Sequence, residues 1–288
     1  MSGWPAGEAY AVRPMRGRDV EWPSCSTQCV HHIWLTADHS DAAPPAQFSR
    51  AIKSARAFFP DRAHVEWRDS DAAVLVSRWE KTHFFFHTLA TPVERADFLR
   101  MLIMHDFGGV YLDVDMELFA CLPIDTTKAV NLVASPLFSE HFQSCLLVAN
   151  RKLHPLWRDV ALRIEDNFTG LQTRPGARVV RRLIENRLTG WATRLALAVF
   201  MTGPGNLDRC IASQLGAGYA SEIGVLPSSC YNGPIAVHHE AGSWTPFQLL
   251  QAGATALDTL RRVCMKPAAC FVLLMLVGKC ALYCTHWS

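Results

Sequence analysis

The sequence predicts an α/β protein with a mostly parallel central sheet. Short apolar runs of strand length alternate along the chain with longer segments of helical periodicity, and this alternation is typical of α/β domains. The chain has 288 residues, which is enough for one large domain of this class. Half of the residues are hydrophobic and 19% are charged, which is the composition of a folded protein with a sizeable core.

The first half of the chain carries the clearest elements. These are a strand at 30–35, a helix at 46–59, a strand at 64–67 and a helix at 71–80. A strong helix follows at 93–107, because Pro92 stands just before it and Gly108 and Gly109 follow it. The next segment, VYLDV at 110–114, is β-branched and apolar, so we predict a buried strand.

The second half continues the alternation of strands and helices. We predict strands at 129–134 and 145–149, helices at 155–167 and 176–188, and strands at 222–226 and 235–238. The predicted domain spans residues 29–250, with an N-terminal appendage at 1–28 and a C-terminal helix within 251–288.

Composition argues against several classes of protein. The net charge of +2 gives no global electrostatic basis for nucleic-acid binding. The N-terminal segment has no apolar core of the kind that a signal peptide requires. The ten cysteines show no paired spacing that would indicate a zinc site.

The C-terminal segment AACFVLLMLVGKCALY, at 268–283, is almost entirely apolar. It is shorter than the roughly 20 residues that a membrane-spanning helix needs. It is either a membrane anchor, in which Lys279 reaches the interface, or a helix that packs on the domain. We expect the protein to associate with a membrane, on a side that the sequence does not define.

Two acidic residues, Asp113 and Asp115, close the strand predicted at 110–114. Side chains two residues apart in a strand point to one face, so both carboxylates can reach one point at the strand's carboxyl end. Open α/β sheets bind their ligands at that end. Two adjacent carboxylates repel each other unless a proton or a cation lies between them, and Mg²⁺ or Mn²⁺ suits such oxygen ligands.

Other interpretations of the two aspartates compete with a metal site. A calcium-binding EF-hand loop starting at Asp113 needs glycine at its sixth position and an acid at its twelfth, but Leu118 and Ile124 stand there. A phosphatase with Asp113 as nucleophile would usually carry threonine after the motif, where this chain has Met116-Glu117. A capped strand end with solvated acids is the remaining alternative.

The helix predicted at 93–107 carries an acid and a base on one face, because Asp97 and Arg100 are three residues apart. An ion pair on a helix that leads into a metal site can orient the site or bind ribose and phosphate. An ordinary pair on the helix surface is the alternative.

The segment ERADFLRMLIMHDFGGVYLDVDMEL, at 94–118, resembles the central motif of the DXD-containing sugar-transferase family. That family includes initiating α-mannosyltransferases of yeast, inositolphosphoceramide mannosyltransferases and α1,4-glycosyltransferases. Four shorter stretches resemble it in the same order, namely VHHIWLT at 30–36, HPLWRDV at 154–160, MTGPGNL at 201–207 and VHHEAGSW at 237–244.

The resemblance implies a GT-A fold, in which a Rossmann-like sheet binds a nucleotide-sugar. It implies a retaining glycosyltransferase that moves a hexose from GDP-mannose or a UDP-sugar to a glycan or glycolipid acceptor. Mn²⁺ or Mg²⁺ would bridge the diphosphate and offset the charge on the leaving group. Relatives in eukaryotes work mostly in the Golgi, so the same location is expected here.

The resemblance also assigns roles to individual residues. Trp34 would stack on the nucleotide base, and Asp97 and Arg100 would contact the donor sugar and its ribose or phosphate. Asp113 would bind the donor and approach the metal, while Asp115 would be a direct metal ligand. These two aspartates are therefore the predicted catalytic residues.

The C-terminal motif supplies the remaining candidates. His239 stands three residues before Gly242 and is the predicted third metal ligand, with His238 as the neighbouring rival, since a strand would point the two in opposite directions. Ser243 and Trp244 match a loop that closes over the donor diphosphate.

Two further stretches complete the comparison with the family. The Gly203-Pro204-Gly205 loop would shape the acceptor side. The chain departs from the family at Ser144-Cys145, where many relatives carry asparagine.

The predicted function is thus a metal-dependent retaining glycosyltransferase. One alternative is a catalytically inert protein of the same fold that binds nucleotide-sugars. The other is a phosphohydrolase that uses Asp113 as its nucleophile.

Overall fold

The computed structural model of the chain describes residues 29–79, 83–89, 91–135, 141–173, 201–215 and 219–239. The strands are β1 (Cys29–Ile33), β2 (Ala63–Trp67), β3 (Gly109–Leu112), β4 (Met116–Leu118), β5 (Val130–Ala134), β6 (Phe142–Ala149), β7 (Ile223–Leu226) and β8 (Ala236–His238). The α-helices are α1 (Ser49–Phe58), α2 (Asp69–Ser77), α3 (His83–Thr88), α4 (Pro92–Asp106), α5 (Pro155–Thr173) and α6 (Pro204–Leu215). Short 3₁₀ helices occupy Ala46–Phe48, Tyr219–Glu222 and Ser228–Cys230.

The main sheet has the strand order β2-β1-β3-β6-β5-β7. Strand β1 is parallel to β2 and β3, and β5 is parallel to β7. Strand β6 is antiparallel to both of its neighbours, β3 and β5. The predicted α/β class with a mostly parallel central sheet is therefore confirmed.

Helices and the small sheet cover the two faces of the main sheet. Tyr111, Leu132 and Leu147 point to one face and pack in a core with residues of α2, α4 and α5. Their neighbours Val110 and Val148 point to the other face. On that side the core is completed by Ala55 of α1 and by the small antiparallel sheet of β4 and β8, through Met116, Leu118 and Ala236.

Helix α4 lies between the sheet and neighbouring helices, and its sequence defines its start. The Thr91 hydroxyl accepts a hydrogen bond from the Glu94 backbone at 3.2 Å, and the Glu94 carboxylate accepts one from the Thr91 backbone at 3.0 Å. This reciprocal cap, with Pro92 in the first turn, satisfies backbone donors that a helix start otherwise leaves unpaired.

A two-glycine turn joins α4 to β3. Gly108 and Gly109 both adopt left-handed backbone angles, with φ of 66° and 88°. A Cβ atom on Gly109 would lie only 2.4 Å from the carbonyl oxygen of Cys29 on β1. Glycine is therefore required at Gly109 for the close approach of β3 to β1.

Several predicted elements differ in extent or place from the observed ones. The strand predicted at 110–114 ends at Leu112, so both aspartates follow it, in the turn that leads to β4. The strand predicted at 235–238 corresponds to β8, which joins the small sheet rather than the main one. Helix α6 was not predicted from the sequence. The Gly203-Pro204-Gly205 stretch was interpreted as a loop, whereas Pro204 begins that helix.

Parts of the prediction fall outside the described residues, namely the appendage at 1–28, the helix at 176–188 and the segment 251–288 with its apolar stretch. Within the described ranges, no helix is both long enough and apolar enough to cross a membrane.

Candidate metal and donor site

The candidate site lies at the carboxyl edge of the main sheet, where β1 and β3 end side by side. The chain leaves β1 towards β2 on one side, and β3 pairs with β1 on the other. Such a switch point leaves a crevice between the diverging connections, and α/β proteins bind ligands there. Trp34 follows β1 and Asp113 follows β3, so both predicted residues reach this edge.

Asp113 is held in place by its backbone and by two neighbouring side chains. Its backbone N–H donates to the Cys145 carbonyl of β6 at 2.8 Å. Its Oδ1 accepts a hydrogen bond from the Tyr111 hydroxyl and lies 3.3 Å from Nη2 of Arg100. Burial raises the pKa of Asp113 above its ordinary value and the charge of Asp115 adds to the rise, although Arg100 opposes both effects.

Asp115 and His238 face each other across the join between the turn and the small sheet. His238 pairs with Met116 in the β4–β8 ladder, which brings the ring beside the turn. Its Nε2 lies 3.1 Å from Oδ1 of Asp115 and 3.7 Å from Oδ2 of Asp113. One ligand atom from each of these three residues lies within 4.8 Å of the others, so together they can enclose one ion.

The structure places the ring of His238, the rival of the predicted third ligand, within this cluster, and the ring of His239 away from it. The His239 backbone N–H donates to the Asp115 carbonyl at 3.0 Å, but its Nε2 lies 2.7 Å from Oε2 of Glu117. Adjacent residues at the end of a strand point to opposite sides, and the observed register directs His238 to the aspartates.

The donor set of two carboxylates and one imidazole fits a divalent cation. Carboxylate oxygens suit Mg²⁺ and Mn²⁺, and imidazole nitrogen is a frequent additional ligand for transition ions. Buried like charges such as Asp113 and Asp115 also need a compensating positive charge nearby. The residues present therefore fit a bound metal ion of this kind.

Asp97 and Arg100 form a buried network with Asp113. Nη2 of Arg100 lies 3.1 Å from Oδ1 of Asp97, and both side chains are only 6% exposed. Nη1 of Arg100 donates to the Ser144 carbonyl at 2.8 Å and lies 3.0 Å from its hydroxyl. The guanidinium also lies over the Tyr111 ring, 4.8 Å from its centroid. The site thus has a fixed cation beside its acids.

The charges in this network perturb each other's ionisation. Burial raises the pKa of Asp97 to about 6, although Arg100 and a hydrogen bond from Thr202 act against the rise. Burial lowers the pKa of Arg100, but the negative charges of Asp113 and Asp97 help to outweigh it, and that pKa is raised above its ordinary value. The guanidinium therefore remains charged.

Sequence reasoning missed the contributions of Thr202 and Ser144. The Thr202 hydroxyl donates to Oδ2 of Asp97 at 2.6 Å, which ties the MTGPGNL stretch to α4. Ser144 occupies the position where the chain departs from its relatives, and here it holds Arg100.

Trp34 lies half-buried after β1. Its ring packs on Phe48 with 5.2 Å between centroids, and its backbone N–H donates to the Trp67 carbonyl at 3.0 Å. The HPLWRDV stretch lies elsewhere, with His154 and Trp157 fully buried at the start of α5. Ser243 and Trp244 lie outside the described residues.

Residues 45–155 match the family described as "Glycosyltransferase sugar-binding region containing DXD motif". Inositol phosphoceramide mannosyltransferase 3 of Schizosaccharomyces pombe is 29% identical over 90 residues, which are 30% of this chain and 23% of that protein. Mannosyl phosphorylinositol ceramide synthase CSH1 of Saccharomyces cerevisiae is 26% identical over 95 residues, or 32% of this chain and 24% of that protein. The chain thus spans less than a quarter of the length of these relatives.

Two solved structures are also similar to this chain. The UDP-bound glycosyltransferase domain from the YGT toxin has a TM-score of 0.48 at 12% identity, over 83% of this chain and 89% of that one. PaToxG glycosyltransferase has a TM-score of 0.47 at 10% identity, over 68% of this chain and 73% of that one.

The matched region contains α4, the two-glycine turn and both aspartates of the candidate metal site. The similarity to DXD-containing glycosyltransferase sugar-binding regions extends over residues 45–155 of this chain. The mostly parallel sheet, with the acidic pair at its carboxyl edge, agrees with the GT-A fold that the sequence predicted.

Proposed function

We propose that this protein is a metal-dependent, retaining glycosyltransferase that moves a hexose from a nucleotide-sugar to a glycan or glycolipid acceptor. The observation that carries the proposal is the cluster of Asp113, Asp115 and His238, whose two aspartates lie inside the matched DXD sugar-binding region. A fold with this region but without the three converging ligands would support nucleotide-sugar binding alone.

In this proposal Asp113, Asp115 and His238 hold Mn²⁺ or Mg²⁺. When bound, the ion supplies positive charge for the donor diphosphate and for the charge that develops on the leaving nucleotide. The chain itself contributes position and charge. Arg100 fixes Asp113 through their ion pair, and Asp97, held by Thr202, fixes Arg100 in turn.

The donor is proposed to lie across the crevice between the ends of β1 and β3. Trp34 would stack on the base, and Asp97 and Arg100 would bind the sugar and the ribose or phosphate, as the resemblance implies. Ser243 and Trp244 would close over the diphosphate. Holding donor and acceptor in a reactive orientation removes a large entropic part of the barrier, which is the main contribution expected from the protein.

GDP-mannose is the proposed donor, with a UDP-sugar as the other candidate. One curated relative is named as a mannosyltransferase and the other as the synthase of a mannosyl lipid, and both names specify an inositol-phosphate ceramide. A glycolipid acceptor is therefore proposed first, and a glycan second. Membrane association, in the Golgi of a eukaryotic cell, follows from that acceptor and from the apolar segment at 268–283.

The two alternatives from the sequence remain distinguishable. A phosphohydrolase would need Asp113 as a free nucleophile, whereas its Oδ1 is engaged by Tyr111 and Arg100. An inert binder would hold a nucleotide-sugar without breaking its bond to the sugar.

The test is the hydrolysis of GDP-mannose and UDP-sugars to free sugar by the full chain with Mn²⁺, for the wild type and for Asp115→Asn. We expect the substitution to lower turnover at least a hundredfold because it removes a charged ligand, while the melting temperature stays the same or rises as like-charge repulsion is relieved. Asp159→Asn, at a half-buried aspartate on α5, is the matched control. Near wild-type turnover in Asp115→Asn would refute the metal site, and binding without hydrolysis in the wild type would favour the inert binder.

A further inference from the structure

A second charged group lies beside the candidate metal site and consists of Arg50, Glu117 and His239. The Glu117 side chain is only 5% exposed, and its carboxylate accepts hydrogen bonds from Nε of Arg50 and, at 2.7 Å, from Nε2 of His239. The three residues come from α1, from β4 and from the position just after β8. A buried carboxylate is stable only with such partners, so this contact fixes the relative position of the elements that supply them.

The contact lies on the opposite side of the small sheet from the metal ligands. His239 follows His238 by one residue, so the two rings point to opposite sides of the strand. In the observed ladder Met116 pairs with His238 and Glu117 with Val237. His238 consequently faces the aspartates, with Nε2 3.1 Å from Asp115, while His239 faces Glu117.

An alternative register of β4 and β8 differs from the observed one by a slip of one residue. Because the side-chain period of a strand is two residues, a slip of one residue would exchange the faces of the two histidines. His239 would then face the aspartates. The small sheet has three residues in each strand, and backbone bonds from His239 to the Asp115 carbonyl and from Phe119 to the Ile235 carbonyl extend its ladder at the two ends. Side chains add to this backbone preference for the observed register.

Side chains discriminate between these registers on both sides. The His238 ring packs against Tyr231, with 5.3 Å between centroids. The His239 ring binds Glu117, whose own position is fixed from α1. Ser54 lies one helical turn after Arg50, and its hydroxyl accepts a hydrogen bond from the Leu118 backbone at 2.9 Å. Strand β4 is thereby anchored to α1 at two successive residues, and Glu117 is a fixed partner for the approaching β8.

We propose that Glu117 is a positioning residue for the metal site, which binds His239 and so selects the register in which His238 faces Asp115. The inference rests on the proposed metal function of Asp113, Asp115 and His238. It adds that the adjacent pair of histidines has two separate roles, one towards the metal and one towards Glu117.

The first experiment measures Mn²⁺ binding to the full chain by titration calorimetry. Glu117→Leu should weaken Mn²⁺ between 10- and 100-fold, which is the range for residues that orient a metal ligand. Glu117→Gln should stay within about threefold of the wild type, because its amide oxygen can still accept the hydrogen bond from His239. Glu66→Leu is the control, since Glu66 is also a strand carboxylate that contacts two arginines, Arg56 and Arg68, but lies on β2.

The second experiment tests the register directly. In the wild type, His238→Ala should weaken Mn²⁺ at least tenfold. In the Glu117→Leu background the same substitution should have a much smaller effect, because His239 is then free to take the metal-facing position. Pulsed electron paramagnetic resonance on bound Mn²⁺ should show histidine nitrogen coupling in the wild type, lose it in His238→Ala, and regain it in His238→Ala with Glu117→Leu.

The outcomes separate the two proposals. Wild-type Mn²⁺ affinity in Glu117→Leu, or an undiminished effect of His238→Ala in that background, combined with Asp115-dependent binding in the wild type, would overturn the positioning role alone. Binding that is absent, or that does not depend on Asp115, would overturn the metal site and this inference with it. If Glu117→Leu does not fold, the same contact can be tested by substituting His239, which is its exposed partner. His239→Gln should then keep the wild-type Mn²⁺ affinity, and His239→Ala should lose it. Equal affinities in that pair would overturn the proposal.

Discussion

At the scale of single residues, the site depends on groups that each have a defined partner before any ligand binds. Arg100 contacts Asp97, Asp113 and Ser144, and Asp97 is held in turn by Thr202. A pre-organised cation beside the metal ligands loses little conformational freedom when a donor binds. Trp34 and Gly109 lie outside this network, and the two predictions at the residue scale concern them.

Trp34→Ala should raise the KM for the donor roughly tenfold or more, because stacking of a base on an aromatic ring contributes about 1–3 kcal/mol. Steady-state kinetics with GDP-mannose would measure it. Trp79→Ala is the matched control, since Trp79 is also half-buried but donates to Asp106, at the far end of α4. An unchanged KM together with a lower melting temperature would assign Trp34 to packing alone.

Gly109→Ala should destabilise the fold by about 3 kcal/mol, from a strained left-handed backbone and from overlap with the Cys29 carbonyl. Gly108→Asn should cost about 1 kcal/mol or less, because asparagine tolerates the left-handed region and φ there is 66°. Urea unfolding of both variants measures the difference. Equal midpoints would show that β3 can move away from β1 without loss.

At the scale of elements, strand β1 carries two buried histidines that must stay neutral. The His31 Nδ1 accepts a hydrogen bond from the Trp67 indole at 3.2 Å, and its Nε2 donates to the Gly108 carbonyl at 3.0 Å. A second ring proton would sit on Nδ1 and would face the N–H of the Trp67 indole. The His32 Nδ1 donates to the Leu112 carbonyl, while its buried Nε2 has no hydrogen-bond partner within the described residues. Burial lowers the pKa of His31 to about 3 and that of His32 to about 4.

Stability should therefore fall with acid over a defined range. Both folded pKa values lie below the ordinary 6.5, so the unfolded chain binds more protons below pH 6.5. The stabilisation is complete above that pH and is lost as the pH falls towards 4, by about 2 kcal/mol for each histidine at pH 5. Between pH 8 and pH 5, the free energy of unfolding of His32→Leu, measured with urea, should fall by about 2 kcal/mol less than that of the wild type. His87→Gln, at an exposed position, should leave the loss unchanged, and an equal loss in both variants would contradict the argument.

The elements also show which parts of the fold were predictable. Helix α4, the two-glycine turn and β3 follow from local pattern, because Pro92, the apolar run and the glycines act within a few residues of where they stand. The choice between His238 and His239 was not predictable, since it depends on a register set by Glu117, more than a hundred residues earlier. The bond between Thr202 and Asp97 is equally remote, and no local pattern encodes it.

At the scale of the whole molecule, the proposed acceptor calls for a membrane nearby. The full chain should sediment with membranes and resist carbonate extraction, because the apolar stretch at 268–283 must be shielded from water. A chain of residues 1–262 should be soluble and should still hydrolyse the donor, since all the ligands of the proposed metal site lie before that point. If instead the shorter chain aggregates and the full chain is soluble without detergent, the stretch packs on the domain and the anchor is wrong.

The position of His238 along the chain has a consequence for biosynthesis. Asp113 and Asp115 leave the ribosome together with β3, but β8 follows more than a hundred residues later. At 5–20 residues per second, the nascent protein carries a pair of neighbouring carboxylates for roughly 6–25 seconds before their histidine is made. Full metal affinity would therefore be acquired late in synthesis. Under the proposed metal function, an unfinished chain could fold much of its sheet and still lack the histidine of the site, so that tight Mn²⁺ binding would distinguish chains that include β8 from shorter ones.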